Sequence, residues 1–386
     1  MRRIAKLSIA IVTSISCVLA LELALRRIAP LQDPYAAEKT PREEINQYIK
    51  SEHAKNLRLI TEPEEGLAGL KGPSVFTVNN LGFRGDVLTI PKPANELRIF
   101  MVGGSTTECL YNDDSKAITR ALQEELNKQP ANNLAVRVYG AGKSGDASDD
   151  HVSMIVHRIV QLQPDVIIVF AGINDLTRSI GNYDYLHYVK ESPPDRFRSV
   201  RYLATESQIV RRFYYLFRRP SQNITQVFQE IHLRSQYREK IGLCNSLPVS
   251  ESRPRVDQAA FGNNLKTIAG VTRAHGIKLI LMTQQTTWNG PDNANLREWH
   301  WALCRSGTKY REDFMDEALK GLNEQTREIA RQNSIPVYDL ANSMPKSREF
   351  FYDDFHFNDR GAREAALGLA AVIREMQTQP NQNQDK

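Results

Sequence analysis

The apolar and polar positions of this chain fall into three regimes. From Leu7 to Leu25 the sequence is apolar, interrupted only by Ser8, Thr13, Ser14, Ser16, Cys17 and Glu22. At the helical rise of about 1.5 Å per residue, these 19 positions reach close to the hydrocarbon thickness of a bilayer. From residue 30 to 95 the pattern is broken repeatedly by Pro30, Pro34, Pro41, Pro63, Pro73, Pro91 and Pro93, which predicts an extended stalk leading into the rest of the chain. It holds the alternating Val75-Phe76-Thr77-Val78 and the turn-rich Asn79-Asn80-Leu81-Gly82-Phe83-Arg84-Gly85.

From Leu97 onward, short apolar runs alternate with stretches of helical period. Strands are expected at Ile99–Val102, Ala135–Tyr139, Asp165–Phe170, Lys278–Met282 and Pro336–Leu340. Helices are expected at Ala117–Leu126, Val152–Leu162, Asn263–Ala274, Glu312–Gln332 and Gly361–Met376. The Asp165–Phe170 run is apolar at successive positions, as a strand buried on both faces requires. Five strands alternating with helices predict a three-layer α/β/α doubly wound domain, with a flavodoxin-like parallel five-stranded sheet and an inserted helical cap. The domain limits expected are 1–29 for a membrane anchor or signal, 30–95 for the stalk and 96–376 for the globular domain. An insertion occupies 176–260, and 377–386 reads as a disordered polar tail.

Charge changes this picture in two places. The 50 Lys and Arg against 45 Asp and Glu leave a net +5, a modest bias with no nucleic-acid-binding motif beside it, so no nucleic-acid partner is expected. Yet Arg196 to Lys240 alone carries a net +7, leaving −2 for everything else, and interleaves Tyr202, Phe213, Tyr214, Tyr215 and Phe217. A basic, aromatic insertion of this kind reads either as a solvated cap or as a lid that attracts an anionic partner. At the N-terminus, Arg2, Arg3 and Lys6 precede the apolar run, which favours an N-in anchor with the rest of the chain outside the cytoplasm. Arg26 and Arg27 after the run weaken that orientation. A cleaved signal peptide competes, although Val18-Leu19-Ala20 is a mediocre processing site and Ser14 stands where a lipoprotein signal wants leucine. The expected location is the inner, cytoplasmic membrane, single-pass, with the domain facing the periplasm or the outside.

Of four cysteines, Cys17, Cys109, Cys244 and Cys304, none forms a metal-ligand pattern. His300 and Cys304, four apart, do not by themselves make a site. In an oxidising compartment Cys244 and Cys304 can form a disulfide. No metal and no cofactor is expected.

In open α/β sheets ligands bind beyond the carboxyl ends of the strands. There the first strand offers Gly103-Gly104-Ser105-Thr106-Thr107, and the second Gly140 through Asp146. The third offers Ala171-Gly172-Ile173-Asn174-Asp175, and Asp353-Asp354-Phe355-His356 follows the fifth. A hydroxyl, a glycine amide, a carboxamide and a carboxylate–imidazole pair at one edge suit acyl transfer. A serine hydroxyl needs an adjacent base, the imidazole a carboxylate behind it, and the tetrahedral oxyanion preplaced N–H donors. The backbone of Ser105, the backbone of Gly145 and the side chain of Asn174 can supply those donors.

Gly103-Gly104-Ser105-Thr106, Gly145, Gly172-Ile173-Asn174-Asp175 and Asp353-Asp354-Phe355-His356 resemble, in chain order, the four blocks of the SGNH (GDSL-like) hydrolases. The resemblance covers roughly Leu97 to Met376 outside the insertion. It implies Ser105 as nucleophile and first oxyanion donor, Gly145 and Asn174 as the other donors, His356 as base and Asp353 as its orienting acid. Gly104 departs from the family's eponymous Asp. The resemblance further implies a membrane-anchored serine esterase acting on acyl groups, O-acetyl groups among them, of small molecules or cell-surface polysaccharide. Two rivals share the fold: a polysaccharide O-acetyltransferase with the same triad, and a catalytically idle glycan-binding scaffold. Within the residues themselves, Asp354 rivals Asp353 as orienter, and Gly103-Gly104-Ser105 could be a phosphate-binding turn, though it lacks the Lys of a P-loop. His151 and His157 read as structural or surface histidines, and Cys109 as packed.

Overall fold

All five apolar runs form strands, and their order in space is the one that places a ligand at the sheet's switch point. The computed structural model describes residues 2–31, 43–44, 52–130, 134–180, 207–217, 231–234, 237–291 and 297–378. It separates into two compact units, one of Met1–Glu43 with Leu186–Gln229 and one of Glu44–Tyr185 with Glu230–Lys386.

In chain order the elements are helix α1 (Arg2–Ile28), strands β1 (Arg58–Glu62), β2 (Ser74–Thr77) and β3 (Glu96–Gly103), and the one-turn helix α2 (Ser105–Glu108). Then come α3 (Ile118–Asn127), β4 (Ala135–Gly142), α4 (Ser148–Met154), β5 (Val166–Phe170) and α5 (Ile173–Ser179). The remainder comprises α6 (Gln208–Phe217), β6 (Ile231–Arg234), α7 (Tyr237–Asn245), α8 (Gln258–Ala274), β7 (Lys278–Met282), α9 (Glu312–Gln332), β8 (Val337–Tyr338) and α10 (Asp359–Thr378).

The main sheet runs β8-β7-β5-β3-β4, all parallel. Counted along the chain this is the 2-1-3-4-5 order of flavodoxin-like sheets, with the switch point between the first and third strands. Successive strand residues point to opposite faces, and the core divides accordingly. Phe100, Val102, Ile167 and Val169 pack with α4, α5, α8 and α9 through Met154, Leu176, Leu265 and Leu319. Ile99, Met101, Val166 and Ile168 pack with α3 and α10 through Leu122, Leu126, Leu369 and Ile373. Burying each such side chain contributes about 1.5–3 kcal/mol. The register brings Gly103 opposite both Gly142 and Phe170, so the loops after the first three strands leave the sheet at one level.

Four expectations need correction. The stretch from Glu52 to Asn95 is no stalk: Leu59, Phe76, Val78, Phe83 and Leu88 are buried within the second unit, and β1 and β2 pair antiparallel. Its prolines interrupt local periodicity, but alternate apolar residues still find a core. The insertion is not wholly helical either, because β6 adds to β1 in parallel. The four-residue run Ile231-His232-Leu233-Arg234 is too short for periodicity to reveal. The helix expected at Val152–Leu162 starts earlier, where the Asp150 carboxylate accepts the Ala147 N–H, and passes into a π turn at Ile155–Ile159 and a 3₁₀ turn at Val160–Leu162. Finally, α10 continues to Thr378, two residues into the expected tail. Residues 379–386, 181–206 and 218–230, and with them Tyr202, Arg218 and Arg219, lie outside the described residues.

In the first unit α1 exposes its apolar side chains, Ile11, Val12, Ile15, Val18 and Leu19 among them. Its Ser8–Ile28 portion, which holds an 18-residue window of mean hydropathy 2.1, is long and apolar enough to cross a membrane. Glu22, the acidic interruption, receives the N–H groups of Gln208 (2.8 Å) and Ile209 (3.0 Å) at the start of α6. Arg211 returns a bond to the Leu31 carbonyl (2.7 Å), and Arg212 one to that of Ala29. These two arginines are therefore spent on the segment just after α1 and are not free for an interface.

Candidate active site

The site begins with the turn that ends β3. Gly104 caps α2 with its carbonyl, which accepts the N–H groups of Thr107 (3.1 Å) and Glu108 (3.0 Å), and Ser105 opens that single turn. A side chain at Gly104 would have its Cβ 2.3 Å from Asn174 Nδ2, so the residue type there is fixed by the close approach of α5. The turn is clamped from below by Arg84 of the Asn79–Gly85 motif, which is 4% exposed. Its guanidinium donates to the carbonyls of Glu108, Cys109 and Asn112, each at 2.7 Å, and to Asp114 Oδ1 at 3.0 Å. Cys109, buried as expected, does not share a helix face with Ser105. It ends the turn in the left-handed conformation.

Ser105 Oγ lies 2.7 Å from His356 Nε2, and His356 Nδ1 lies 2.7 Å from Asp353 Oδ2. Asp353 also accepts the backbone N–H groups of Phe355 (3.0 Å) and His356 (2.8 Å) on Oδ1, and the indole N–H of Trp301 (3.0 Å) on Oδ2. Burial pushes this carboxyl up, but the adjacent His356 and these donors outweigh it and hold it below the ordinary carboxylate range. The network assigns the tautomer: Nδ1 donates to Asp353 and Nε2 accepts from the serine hydroxyl. Asp354 turns elsewhere, accepting Trp288 Nε1 (2.8 Å) and the backbone N–H of Trp301 (2.7 Å). Burial and the charge of Asp353 push it up to about 7. Rings flank the imidazole, Tyr352 and Trp301 lying within 10° of parallel to it at 5.4 and 6.4 Å.

The two remaining sequence-predicted residues converge on the same serine. Asn174 follows Gly172, whose φ of +135° carries β5 into α5. Its Nδ2 donates to the Asp146 carbonyl at 2.7 Å, which fixes the amide and leaves its second N–H unused by that bond. Gly145 has φ +84°, and a Cβ built there meets nothing within 4 Å, so its backbone borders open space. Ser105, Gly145, Asn174 and His356 all line one cavity of about 370 Å³.

Sequence reasoning missed the residues that hold the Gly145 loop. Arg178 donates to the Gly145 carbonyl at 2.6 Å and to the carboxylates of Asp149 (2.9 Å) and Asp150. Asp175 accepts the N–H (3.1 Å) and hydroxyl (2.5 Å) of Ser148, and burial pushes its carboxyl up to about 6 against those bonds. Buried Glu108 takes the hydroxyl of Ser144 from the other side. A signal existed for two of them: Asp175 and Arg178, three apart after Asn174, share a helix face. Trp301 gave none.

His151 is buried, which pushes it down to about 4, and His157 is exposed. His300 meets the Thr287 hydroxyl (2.8 Å), and Cys304 is bonded to Cys244 with Cα atoms 5.5 Å apart. The two form no shared site. Among the described residues no cluster of His, Cys, Asp or Glu has the make-up to hold a metal.

The model of the GDSL-like lipase/acylhydrolase family matches residues 101–364. Among solved structures the chain is similar to an acetyl xylan esterase, AlAXEase, at 14% identity and a TM-score of 0.40, covering 72% of this chain and 99% of that one. It is also similar to a lipase/acylhydrolase from Enterococcus faecalis, at 16% identity and 0.41, covering 72% and 96%. A third likeness is to TesA, at 13% and 0.42, covering 72% and 99%. No curated protein sequence matches the chain.

Proposed function

Since this chain belongs to the GDSL-like lipase/acylhydrolase family, we propose that it is an extracytoplasmic serine esterase. In this reading it removes short acyl groups, O-acetyl groups among them, from a carbohydrate of the cell surface. The observation that carries this reading is the unbroken chain from Ser105 Oγ to His356 to Asp353, both links at 2.7 Å, opening on one cavity.

The chemistry follows from those positions. Ser105 Oγ attacks the ester carbonyl as His356 Nε2 takes its proton, and Asp353 stabilises the imidazolium so formed. Charge then grows on the carbonyl oxygen, where the N–H groups of Ser105 and Gly145 and the free N–H of Asn174 are the donors proposed to receive it. Each such donor lowers the barrier by about 2.7–4 kcal/mol. Collapse expels the alcohol, which takes the proton from His356, and water repeats the sequence to release the acid. A sugar hydroxyl in place of that water would make the same site an acetyltransferase, so acyl release is to be measured with and without a sugar acceptor.

The membrane part of the proposal rests on α1, which is long and apolar enough to span a bilayer. The Cys244–Cys304 bridge supports an oxidising compartment for the domain.

The test is labelling by a fluorophosphonate together with hydrolysis of p-nitrophenyl acetate. Wild-type protein should do both, and Ser105→Ala and His356→Ala should lose hydrolysis while keeping their melting transition. The double variant should be little worse than either single, because triad members act as a unit. Labelling or wild-type hydrolysis by Ser105→Ala would overturn the assignment.

A further inference from the structure

The walls of the cavity carry an imbalance that the triad does not need. Among the described residues three cations line it, Arg178, Lys240 and Arg305, and no carboxylate does. Arg178 is neutralised by Asp149 and Asp150. Lys240 and Arg305 have no ion-pair partner among the described residues, and both are exposed at the rim.

Lys240 is nevertheless oriented. Its ammonium stands 5.1 Å from the ring centre of Trp301 and 5.5 Å from that of Tyr237. An aromatic face holds a cation by its quadrupole and leaves the charge uncancelled, whereas a carboxylate would cancel it. Trp301 is the same residue that bonds Asp353, so the ammonium is fixed relative to the triad. The backbone at Arg305 is tethered by the neighbouring Cys304–Cys244 bridge to α7, the helix that carries Lys240.

The rest of the wall speaks to what bears the ester. Only Leu110 and Ala302 among the lining residues are aliphatic. Tyr111, Tyr237, Tyr352 and Trp301 instead present rings with polar edges. A long acyl chain needs an aliphatic channel, while a short acyl group on a sugar suits rings with hydroxyl and indole donors at their margins.

We propose that the ester is carried on an anionic sugar whose negative group is held by Lys240 and Arg305. The proposal rests on the esterase reading for the word ester, but its binding half does not. The full chain in detergent, inactivated as Ser105→Ala, is titrated by calorimetry with length-matched oligosaccharides of glucuronate and of glucose. The glucuronate oligomer is expected to bind at least about tenfold tighter at low salt, with the gap narrowing as salt rises. In Lys240→Gln/Arg305→Gln the gap should fall by about three- to tenfold for each cation removed, and Lys240→Arg should retain it. In the active protein, kcat/KM for O-acetylated forms of the two oligomers should show the same preference. Sulfated glucose oligomers form a further arm: binding equal to glucuronate supports recognition of charge on the sugar whatever its source. Equal binding of charged and neutral oligomers, or a preference that survives the double substitution, overturns the proposal. So does faster turnover of lysophosphatidylglycerol than of acetylated glucuronate, which would make a lipid the substrate. Should no ester be hydrolysed while the binding gap stands, it is the esterase reading that fails and the anion site that remains.

Discussion

Asn174 is held in place by its neighbours: its amide is tied to the Asp146 carbonyl and pressed against Gly104. A donor fixed in this way costs no reorganisation when charge develops, and matters mostly in the transition state. Asn174→Ala should therefore lower kcat by about 10²–10³ with KM little changed. Steady-state kinetics on p-nitrophenyl acetate decides it, and a change confined to KM would make the residue a ground-state contact. Its neighbour Asp175 does different work, accepting both hydrogens that Ser148 offers. Its carboxyl is pushed up to about 6 from 3.8, so between those values the folded chain binds more protons than the unfolded one, and stability falls as pH rises. The full cost, about 3 kcal/mol, is in force above pH 6 and absent below pH 4. In Asp175→Asn, which never ionises, the melting temperature relative to wild type should climb between pH 4 and pH 7. A constant difference would show that the carboxyl is not perturbed. The residues proposed to react were legible because acyl transfer demands a few residue types at strand ends, and four short motifs offered them in order. Trp301 was not, because it reaches Asp353 from 52 positions away, on a loop whose path no local pattern encodes.

At the scale of elements, strand identity was read from apolar runs to within a few residues, because each strand buries a run of apolar residues, β5 at every one of its positions. Helix beginnings, by contrast, depend on single side chains, as Asp150 at the start of α4 illustrates. The largest difference concerns the proline-rich stretch before β3. Its Asn79–Gly85 motif lays Arg84 beneath the Ser105 turn, where it donates to the carbonyls of Glu108, Cys109 and Asn112 at and just beyond the end of the one-turn helix. Periodicity cannot disclose this, since the partners lie 24 to 28 positions later. A single ammonium cannot reproduce that fork of donors. Arg84→Lys should therefore cost about 2–5 kcal/mol, the sum of lost charge-assisted bonds and an unfilled buried site. The measurement is urea denaturation followed by fluorescence. A shift in midpoint below that expected for about 0.5 kcal/mol would mean that the turn supports itself.

For the whole molecule, the sequence separated an apolar N-terminal helix from an α/β domain, and the two compact units of the chain share the basic insertion between them. Part of it, α6, is joined to α1 and the residues just after it: Glu22 takes the first N–H groups of α6, and Arg211 and Arg212 donate to the carbonyls of Leu31 and Ala29. This gives a reason for the acid in an otherwise apolar helix. A carboxylate is costly in hydrocarbon unless partnered, and here Arg26 pairs with it at 2.8 Å while further donors come from more than 180 positions away. The proposed topology, which rests on the length and apolarity of α1, is an uncleaved, single-pass anchor with its basic head inside. Full-length protein should remain in the membrane fraction after a carbonate wash, and a protease added outside the inner membrane should digest the catalytic domain. Glu22→Gln, which keeps an acceptor but loses the charge, should leave the protein in the membrane yet speed proteolysis around residue 207 as α6 loosens its hold. A shortened soluble form beginning near residue 21 would refute the anchor, and protection of the domain from external protease would reverse its orientation.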